Sequence, residues 1–392
     1  MSAIDDLIAL HCPDGVAYRP IGEIGELVRG NGIQKSDFVE SGVGCIHYGQ
    51  IHTHYGTWAT ETKSFISPEL AAKTRHARTG DLVIATTSED DVAVGKAVAW
   101  LGRDDVAVST DSFILRHQLD PKYISYFFQT EQFQVQKLPH VNGTKVRRIS
   151  GNALAKILVP VPPLEVQREI VRVLDLFQEL EAELEAELEA RTKQYEYFSE
   201  SVFSLEDTDI EHVLLREICD ISRGTVISKD YLRDHAGTFP VYSSQTMNHG
   251  VFGHIDTFSY DFESLTWTTD GANAGSIFYH CDEKFTITNV CGLLRVKDPE
   301  TVSTRFLYFL LRTQAKKHVS AGMGNPKLMA GDMGDISVKI PTITKQNEIV
   351  AILDCFDSLL NDLTVGLPAE LVARRQQYEY YRDGLLKFNE AA

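Results

Sequence analysis

The sequence predicts an α+β protein with two β-rich domains in tandem, each followed by a long helix, and with the two helices packed as an antiparallel coiled coil. Three observations predict this fold: a helical motif that occurs twice, short β-type runs before each copy, and a row of leucines along each helix. The motif starts at Pro162 and again at Pro341. A chain made of two like halves is typical of a protein whose ligand also has two like halves.

The repeat divides the chain into four segments. We expect the first β-rich domain, the first helix, the second β-rich domain and the second helix at residues 1–156, 157–205, 206–336 and 337–392. Short apolar runs broken by Gly, Asn and Asp predict twisted strands in both domains. One apolar helix is expected in each, near 121–137 and 302–319.

The two β-rich domains resemble each other weakly and diverge between a few anchor positions. The first domain's Arg29-Gly30 parallels Arg223-Gly224, and Tyr48 parallels Tyr242. Gly80–Thr87 parallels residues 263–270, and Val108–Asp111 parallels Ile287–Asn289. A shared scaffold with a divergent surface suits two recognition modules that read different targets.

Residues 165–203 predict one long helix, because apolar residues recur at steps of three, four or seven and mark one face. A four-residue Leu-Glu-Ala-Glu repeat starts at Leu180, and all three residue types favour helix. The prolines before the helix precede it without interrupting it. The predicted interface residues on this helix are Phe177, Leu180, Leu184 and Leu188.

The second helix is predicted near residues 344–388. The stretch from the repeated phenylalanine to the repeated arginine is four residues longer in this helix than in the first. Because proline removes a helical hydrogen bond, Gly366 and Pro368 predict a kink or a split there. The predicted interface residues on this helix are Phe356, Leu359, Leu363, Leu367 and Leu371. Two helices with leucine rows should pack against each other; the alternative is an ordinary helical hairpin inside one globular core.

The net charge of −17 is unusual for a nucleic-acid binder, so its distribution matters. The first domain carries −2, the first helix −7, the second domain −6 and the second helix −2. Each domain can therefore still present a basic face, since local field steers DNA more than net charge does. No run of eighteen apolar residues predicts a membrane span, and no secretion signal is evident. Six scattered cysteines indicate reduced thiols and a cytoplasmic location.

Motifs for catalysis are not found. The sequence has no G-x-x-x-x-G-K-[ST] phosphate loop, no G-x-G-x-x-G after a strand, no Asn-Pro-Pro-aromatic motif and no H-E-x-x-H. His47, His52 and His54 are the best metal candidates, but without a nearby Cys or Asp partner they are more typical of a polar loop. We therefore expect neither a catalytic residue nor a metal site in this chain.

Polar and basic clusters occur at equivalent places in both halves, at residues 142–148 and 322–327, just before each helix. A glycine-rich turn beside Lys or Arg can approach phosphates or guanine edges. Recurrence in both halves favours function over plain solvated surface. The candidate DNA-binding residues are Arg29, Tyr48, Gln50, Thr86, Thr87, Lys96, Thr144, Lys145, Arg147, Arg148, Arg223, Tyr242, Ser243, Ser244, Gln245, Thr269, Asn273, Asn325 and Lys327.

With these motifs the chain resembles the specificity (S) subunits of type I restriction–modification systems, the HsdS family. The resemblance rests on the Pro-x-Pro-Pro-Leu-Glu-x-Gln run at 160–167, its degenerate partner at 341–346 and the Gly-Asp-Leu…Val-Gly-Lys pattern at 80–96. The second copy departs from the pattern at Thr342 and at Glu263-Ser264.

The resemblance implies that each β-rich domain is a target recognition domain reading one half of a split double-stranded DNA sequence. It implies that the helices fix the gap between the half-sites and dock two modification (M) subunits. Restriction (R) subunits complete the complex. S-adenosylmethionine, Mg²⁺ and ATP are expected in those partners, with no cofactor in this chain. Two other readings stay open: a structural adaptor whose heads bind proteins, and an enzyme such as a nuclease.

Overall fold

A computed structural model describes residues 3–203, 212–320, 325–361 and 366–391. Contacts divide the chain into two compact units. The first unit is Met1–Leu184 with Leu371–Ala392, and the second unit is Glu185–Glu370. Each unit therefore combines one β-rich domain with parts of both predicted helical segments.

The elements of residues 3–203 alternate short helices with short strands. The helices are α1 (Ala3–His11), α2 (Ile21–Ile24), α3 (Tyr48–Thr53), α4 (Pro68–Ala71), α5 (Pro121–Phe127), α6 (Glu131–Lys137), α7 (Gly151–Leu154) and α8 (Leu164–Phe203). The strands are β1 (Tyr18–Pro20), β2 (Gly25–Arg29), β3 (Val43–Ile46), β4 (Trp58–Ala59), β5 (Ser64–Ile66), β6 (His76–Ala77), β7 (Leu82–Ala85), β8 (Thr87–Ser88), β9 (Ala97–Trp100), β10 (Val106–Val108), β11 (Ser112–His117), β12 (Arg147–Arg148) and β13 (Leu158–Pro160).

The later part of the chain repeats this alternation. Its helices are α9 (Leu215–Ile218), α10 (Lys229–Asp234), α11 (Thr304–Gln314), α12 (Ala330–Gly334), α13 (Ile343–Asn361) and α14 (Leu367–Leu385). Its strands are β14 (His212–Leu214), β15 (Cys219–Arg223), β16 (Ala236–Tyr242), β17 (Val251–Ile255), β18 (Ser264–Thr268), β19 (Ile277–His280), β20 (Thr286–Ile287), β21 (Cys291–Val296) and β22 (Ser337–Lys339).

The two units share the order of the first four strands of the main sheet, to which the first unit adds β4. The main sheet of the first unit has the strand order β2-β11-β7-β9-β4, and that of the second unit has the order β15-β21-β18-β19. A parallel pair, β3 with β10, recurs as β16 with β20. An antiparallel pair, β1 with β13, recurs as β14 with β22. The duplication predicted from the helical motif therefore extends through both β-rich domains.

The repeated glutamine of the motif attaches each helix to its own domain. The buried Gln167 accepts a hydrogen bond from the backbone N–H of Asp120 at 2.8 Å and donates to the Pro162 carbonyl at 2.7 Å. Gln346 makes the same two bonds, to the N–H of Ser303 at 2.8 Å and the Pro341 carbonyl at 2.7 Å. The Pro-…-Gln motif is thus a joint between the domain and the start of its helix.

The repeated Leu-Asp pair after the motif adds a charged contact to this joint. In the first unit Asp175 accepts from the Lys122 ammonium and from the Tyr126 hydroxyl, both at 2.7 Å. In the second unit Asp354 accepts from Arg305 Nε at 2.7 Å. In both cases the cation lies on the apolar helix predicted from the sequence, which is α5 or α11.

Helix pairing is antiparallel in the first unit. Phe177 of α8 stacks on Tyr381 of α14 with ring centroids 5.4 Å apart, and Glu181 accepts from Arg375 at 2.5 Å. Residue numbers rise along α8 in the direction in which they fall along α14, which means that the two helices run antiparallel. In the second unit α8 contacts α13, where Phe356 lies 6.0 Å from Tyr195 between ring centroids.

The remaining predicted helix–helix residues differ in their burial. Leu371 is buried, Leu184, Leu188, Leu359 and Leu367 are half-buried, and Leu180 is 46% exposed. Leu363 lies outside the described residues. Phe177 and Phe356, which belong to the same predicted set, make aromatic contacts between helices.

The second helical segment is split, as Gly366 and Pro368 predict. Helix α13 ends at Asn361, Gly366 is not helical, and α14 starts at Leu367. Pro368 therefore occupies the first turn of α14, where a missing backbone N–H costs nothing. Among the described helices, none combines the length and the hydropathy that a bilayer span requires.

Candidate nucleic-acid interface

The candidate residues of the first unit meet around the turn formed by residues 109–111. Arg29, at the end of β2, donates from Nε to the Thr110 carbonyl at 3.3 Å. The backbone N–H of Tyr48 donates to Ser109 Oγ at 2.9 Å, and that of Thr86 donates to the Asp111 carbonyl at 3.0 Å. Three strand ends and one helix start therefore converge on this turn.

The second unit builds the same arrangement around the turn formed by residues 288–290. Arg223, at the end of β15, donates to the Asn289 carbonyl. Thr288 Oγ1 donates to Ser243 Oγ at 3.0 Å, and the backbone N–H of Thr269 donates to the Val290 carbonyl at 3.2 Å. The arginine candidates, Arg29 and Arg223, and the threonine candidates, Thr86 and Thr269, thus occupy equivalent places, which their positions in the sequence only suggested.

Glycine is required beside each of these turns. A Cβ atom added to Gly30 would clash with the Ser109 carbonyl, and one added to Gly224 would clash with the Ile287 carbonyl. Only glycine lets the backbone approach so closely. The repeated Arg-Gly dipeptide therefore places an arginine next to the turn in both units.

The basic segment of the first unit is fastened to this same edge. Strand β12 pairs Arg148 with Thr87 and Arg147 with Ser88, and the N–H of Ile149 donates to the Thr86 carbonyl at 3.1 Å. Lys145 and Arg148 are exposed. Arg147 is half-buried and paired with Asp91 at 3.0 Å, so its charge is partly neutralised.

The second unit keeps the attachment but carries fewer cations. The N–H of Leu328 donates to the Thr269 carbonyl at 2.9 Å, as Ile149 does to Thr86. Lys327 precedes Leu328, is exposed, and forms an isolated bridge with Asp270. Gly322 and Gly324 of the predicted cluster lie outside the described residues.

The nineteen candidates fall into three groups by burial. The exposed candidates are Arg29, Thr144, Lys145, Arg148, Arg223, Asn273, Asn325 and Lys327. The half-buried candidates are Tyr48, Lys96, Arg147, Ser243, Ser244 and Gln245. The buried candidates are Gln50, Thr86, Thr87, Tyr242 and Thr269.

The buried candidates have contacts that hold the edge together. Gln50 accepts from the N–H of His47 at 3.2 Å and donates to Ser64 at 2.6 Å, which closes the first turn of α3. Thr86 Oγ1 donates to the Asp111 carbonyl at 3.0 Å. A side chain used in this way supports the surface, so the exposed group is the better source of DNA contacts.

Tyr242 belongs to a buried polar network under the second turn. Its hydroxyl donates to Glu283 at 2.7 Å, and His280 lies between Glu283, at 3.1 Å, and Thr266 Oγ1, at 2.8 Å. The hydrogen bond from His280, together with that from Tyr242, holds the pKa of Glu283 below its usual value. Burial and the bond to Glu283 raise the pKa of Tyr242. The network fixes the end of β16, from which the loop Ser243–Gly250 starts.

The alignment of Tyr48 with Tyr242 is wrong by two residues. Tyr242 lies opposite Ile287 in the pair β16–β20, whereas Ile46 lies opposite Val108 in the pair β3–β10. Strand pairing therefore makes Ile46 the counterpart of Tyr242. A match of single aromatic residues did not reveal this register, because the two tyrosines serve different roles.

The three histidines near residue 50 do not converge on one point. His47 Nδ1 accepts from the N–H of Gly49 at 3.2 Å, and His52 Nε2 lies 3.0 Å from the Thr87 carbonyl. Burial lowers the pKa of both imidazoles. Within the described part of the chain, no three His, Cys, Asp or Glu side chains are grouped to hold a metal ion.

Lys137 is a supporting residue that sequence reasoning missed. Its side chain is fully buried, and its ammonium donates to the Val92 and Val94 carbonyls, each at 2.8 Å. It thereby fixes the loop that carries Asp91, the ion-pair partner of Arg147. A lysine at the end of the largely polar helix α6 gave no clear sequence signal, since lysine is most often exposed.

The fold and this edge define a class of protein: a duplicated recognition protein in which two related β-rich heads present equivalent polar and basic surfaces. The chain belongs to the type I restriction modification DNA specificity domain family, whose model matches residues 13–190 and 208–373. It is thus a DNA-specificity subunit of a type I restriction–modification system, a subunit class that recognises DNA and is non-catalytic.

Curated relatives agree with this family. The chain is similar to the type I restriction enzyme MpnII specificity subunit of Mycoplasma pneumoniae, with 38% identity over 50% of this chain and 62% of the relative. It is also similar to a type I restriction enzyme specificity subunit of Escherichia coli, with 30% identity over 68% of this chain and 70% of the relative.

Solved structures share the fold at low identity. One, from work on assembly and conformational transition of the type I system, has a TM-score of 0.66 at 18% identity and covers 96% of this chain and 98% of its own. The HsdS subunit of Thermoanaerobacter tengcongensis has a TM-score of 0.57 at 17% identity, covering 95% of this chain and 97% of its own.

Proposed function

We propose that each β-rich domain is a target recognition domain that reads one half of a split DNA sequence with the edge formed around its turn, 109–111 or 288–290. The observation that carries this proposal is the equivalence of the two edges. Each has a glycine-bounded arginine, a polar turn and an attached basic segment, yet the exposed side chains between these anchors differ. Equivalent placement with different side chains is what two half-site readers require.

In this proposal the domain boundaries are those expected from the repeat, with recognition domains at 1–156 and 206–336 and spacer helices at 157–205 and 337–392. The helices fix the distance between the half-sites and dock two modification subunits. Restriction subunits join the complex, and the methyl-transfer and ATP-dependent chemistry belongs to the partners. Such a complex meets its DNA in the cytoplasm.

DNA contacts by the first domain are tested with cations that the structure leaves exposed. Lys145→Gln with Arg148→Gln should weaken DNA binding by the assembled complex and lower the slope of log affinity against log salt by about 2, one for each lost phosphate contact. Binding is measured between roughly 50 and 200 mM salt. Arg191→Gln with Lys193→Gln, two cations on α8, is the matched control and should leave the slope unchanged.

The same measurement distinguishes the proposed function from the alternative of a structural adaptor. A chain whose heads bind only protein would show no salt-dependent affinity for DNA in the wild-type complex. A wild-type complex that binds DNA with a steep salt dependence, together with a double variant of equal slope, would remove the 144–148 segment from the interface while leaving the general function intact.

A further inference from the structure

Two apolar side chains stand out on the second recognition domain. Met247 is 82% exposed and Val226 is 78% exposed, more than any other large apolar side chain in the described part of the chain. Single exposed apolar residues are common on protein surfaces and need no explanation. These two require one because both belong to loops that border the same turn.

Both loops flank the 288–290 turn directly. Thr225, the neighbour of Val226, forms a parallel bridge with Thr288. On the other side Thr288 donates through its N–H to the Tyr242 carbonyl at 2.9 Å and through Oγ1 to Ser243. Met247 lies on the loop that starts at Ser243. Val226 directly follows a residue paired with this turn, and Met247 lies on the loop that begins at another, so both belong to segments attached to the edge proposed to meet DNA.

The loop that carries Met247 is held in a costly conformation. Asn248 and His249, each with φ near 51°, and Gly250, with φ 85°, form a left-handed run. Left-handed backbone is unfavourable for residues with a side chain and persists only where the surroundings enforce it. Here the N–H of Ser243 donates to the Gly250 carbonyl at 3.2 Å, and Gln245 donates to the Val251 carbonyl. The loop is thus fastened at both ends with Met247 between them.

We propose that Met247 and Val226 are specificity-determining residues that contact thymine methyl groups in the half-site read by the second domain; this rests on the proposed function. In the major groove the thymine methyl is the apolar group that distinguishes one base pair from another. An unbranched thioether adapts its shape to such a contact. The polar neighbours Ser243, Ser244 and Asn289 can serve the hydrogen-bonding edges of the adjacent bases.

The loop that carries Met247 belongs to one domain. After β3, the counterpart of β16, the chain of the first domain forms helix α3, and residues 47–53 include no exposed large apolar side chain. The apolar loop is therefore a difference between the two heads, located where their targets would differ. The proposal predicts that the second half-site contains at least one A·T pair.

The experiment is a thymine-to-uracil scan. The target is first mapped by sequencing methylated adenines in cells that carry the active system. The affinity of the complex with its modification subunits is then measured on duplexes with single thymines of each half-site replaced by uracil, which lacks only the methyl group. Loss of a contacted methyl should weaken wild-type binding about 4-fold, the equivalent of one buried carbon group.

Met247→Ala and Val226→Ala should each weaken binding to the thymine duplex to a similar extent and remove the uracil effect at one position of the second half-site. Leu10→Ala, which truncates a 72% exposed leucine on α1, is the matched control and should leave both the affinity and the uracil effect unchanged.

Several outcomes would overturn this inference. A mapped second half-site made of G·C pairs alone would do so, as would variants that still discriminate thymine from uracil as the wild type does. If Met247→Ala weakened binding equally on the thymine and the uracil duplexes, Met247 would act as a steric wedge and not by contact with a thymine methyl. A complex with no split target at all would overturn the proposed function and this inference with it.

Discussion

At the scale of single residues, the two main sheets fill equivalent core positions with different volumes. In the first unit Ile84 of β7 lies opposite Phe113 of β11. In the second unit the corresponding pair is Trp267 and Gly292. A tryptophan next to glycine replaces an isoleucine next to a phenylalanine, and Trp267 also donates from Nε1 to the Leu328 carbonyl at 2.9 Å. The duplicated scaffold is therefore packed independently in each unit.

Because the Trp267 ring lies against Gly292, even one added methyl group at residue 292 should destabilise the unit. A Cβ at residue 292 would fall well inside contact distance of the Trp267 ring, so Gly292→Ala should destabilise the second unit by about 1–3 kcal/mol through overpacking. Thermal unfolding followed by circular dichroism would show it. Gly384→Ala is the matched control: its Cβ meets nothing within 4 Å, and helix propensity predicts equal or slightly higher stability. Equal melting of wild type and Gly292→Ala would contradict this packing.

Lys137 gives the first unit a pH-dependent stability. Burial lowers the pKa of its ammonium to about 8 in the folded protein, from 10.5. Below pH 8 the lysine is charged in both the folded and the unfolded chain, and the cost of burying the charge is fully present. As pH rises toward 10.5 the unfolded chain holds the proton more strongly, so wild-type stability rises.

The comparison of wild type with Lys137→Met tests this sign. Between pH 7.5 and about 9.5 the free energy of unfolding of the wild type should gain on that of the variant, with a limit on the order of 3 kcal/mol. Urea titrations at several pH values measure the difference, and other titrating groups cancel between the two proteins. Parallel pH profiles would show that Lys137 keeps an ordinary pKa.

At the scale of elements, the joint between domain and helix explains why the motif occurs twice in the sequence. Gln167 and Gln346 bond the backbone on either side of the joint, and Asp175 and Asp354 each bind a cation from the domain. A polar side chain is buried at this point only because every bond has a partner. The recurring residues therefore mark the places where the two units are built alike.

The sequence alone reveals these repeated elements because they follow short-range rules. Helical periodicity predicts α8, and Gly366 with Pro368 predicts the interruption before α14. Burial at the edge follows instead from long-range strand pairing, so Gln50, Thr86 and Tyr242 look like surface residues in the sequence although they lie inside. The register of Ile46 with Val108 and the role of Lys137 depend on contacts between residues that are far apart in the sequence. The spacing of residue types along the chain does not predict such contacts.

Removing the second glutamine should loosen one joint without touching the edge. Gln346→Ala leaves the N–H of Ser303 and the carbonyls of Thr301 and Pro341 without this partner, and each buried unpaired group costs about 1–3 kcal/mol. We expect the second unit to lose about 3 kcal/mol of unfolding free energy, measured by urea unfolding. Gln376→Ala, at an exposed position of α14, should change stability by less than about 0.5 kcal/mol. A loss no larger than that of the control would mean that the joint is held by apolar packing alone.

At the scale of the whole molecule, one helix belongs to both units. Helix α8 has 40 residues, and the division between the units falls between Leu184 and Glu185, inside the Leu-Glu-Ala-Glu repeat. The acidity of this segment accounts for −7 of the net −17, which leaves the first domain at −2. The connecting helix is thus the most acidic segment of the chain, followed by the second domain at −6, whereas the first domain is nearly neutral.

The repeat therefore offers a way to change the proposed spacer without changing either reader. Four helical residues span about 6 Å, and DNA rises about 3.4 Å per base pair. Deletion of Leu184–Glu187 should shorten the unspecified spacer by one or two base pairs, and insertion of one more Leu-Glu-Ala-Glu unit should lengthen it equally. A four-residue change keeps the apolar face nearly in phase, so the helix can still pack. Mapping methylated adenines in cells that carry each variant measures the spacer, with Glu185→Gln/Glu187→Gln as the control of unchanged length. Both half-sites should stay the same, because all recognition residues are retained. A spacer that is unchanged in both length variants would show that α8 does not set the distance between the half-sites.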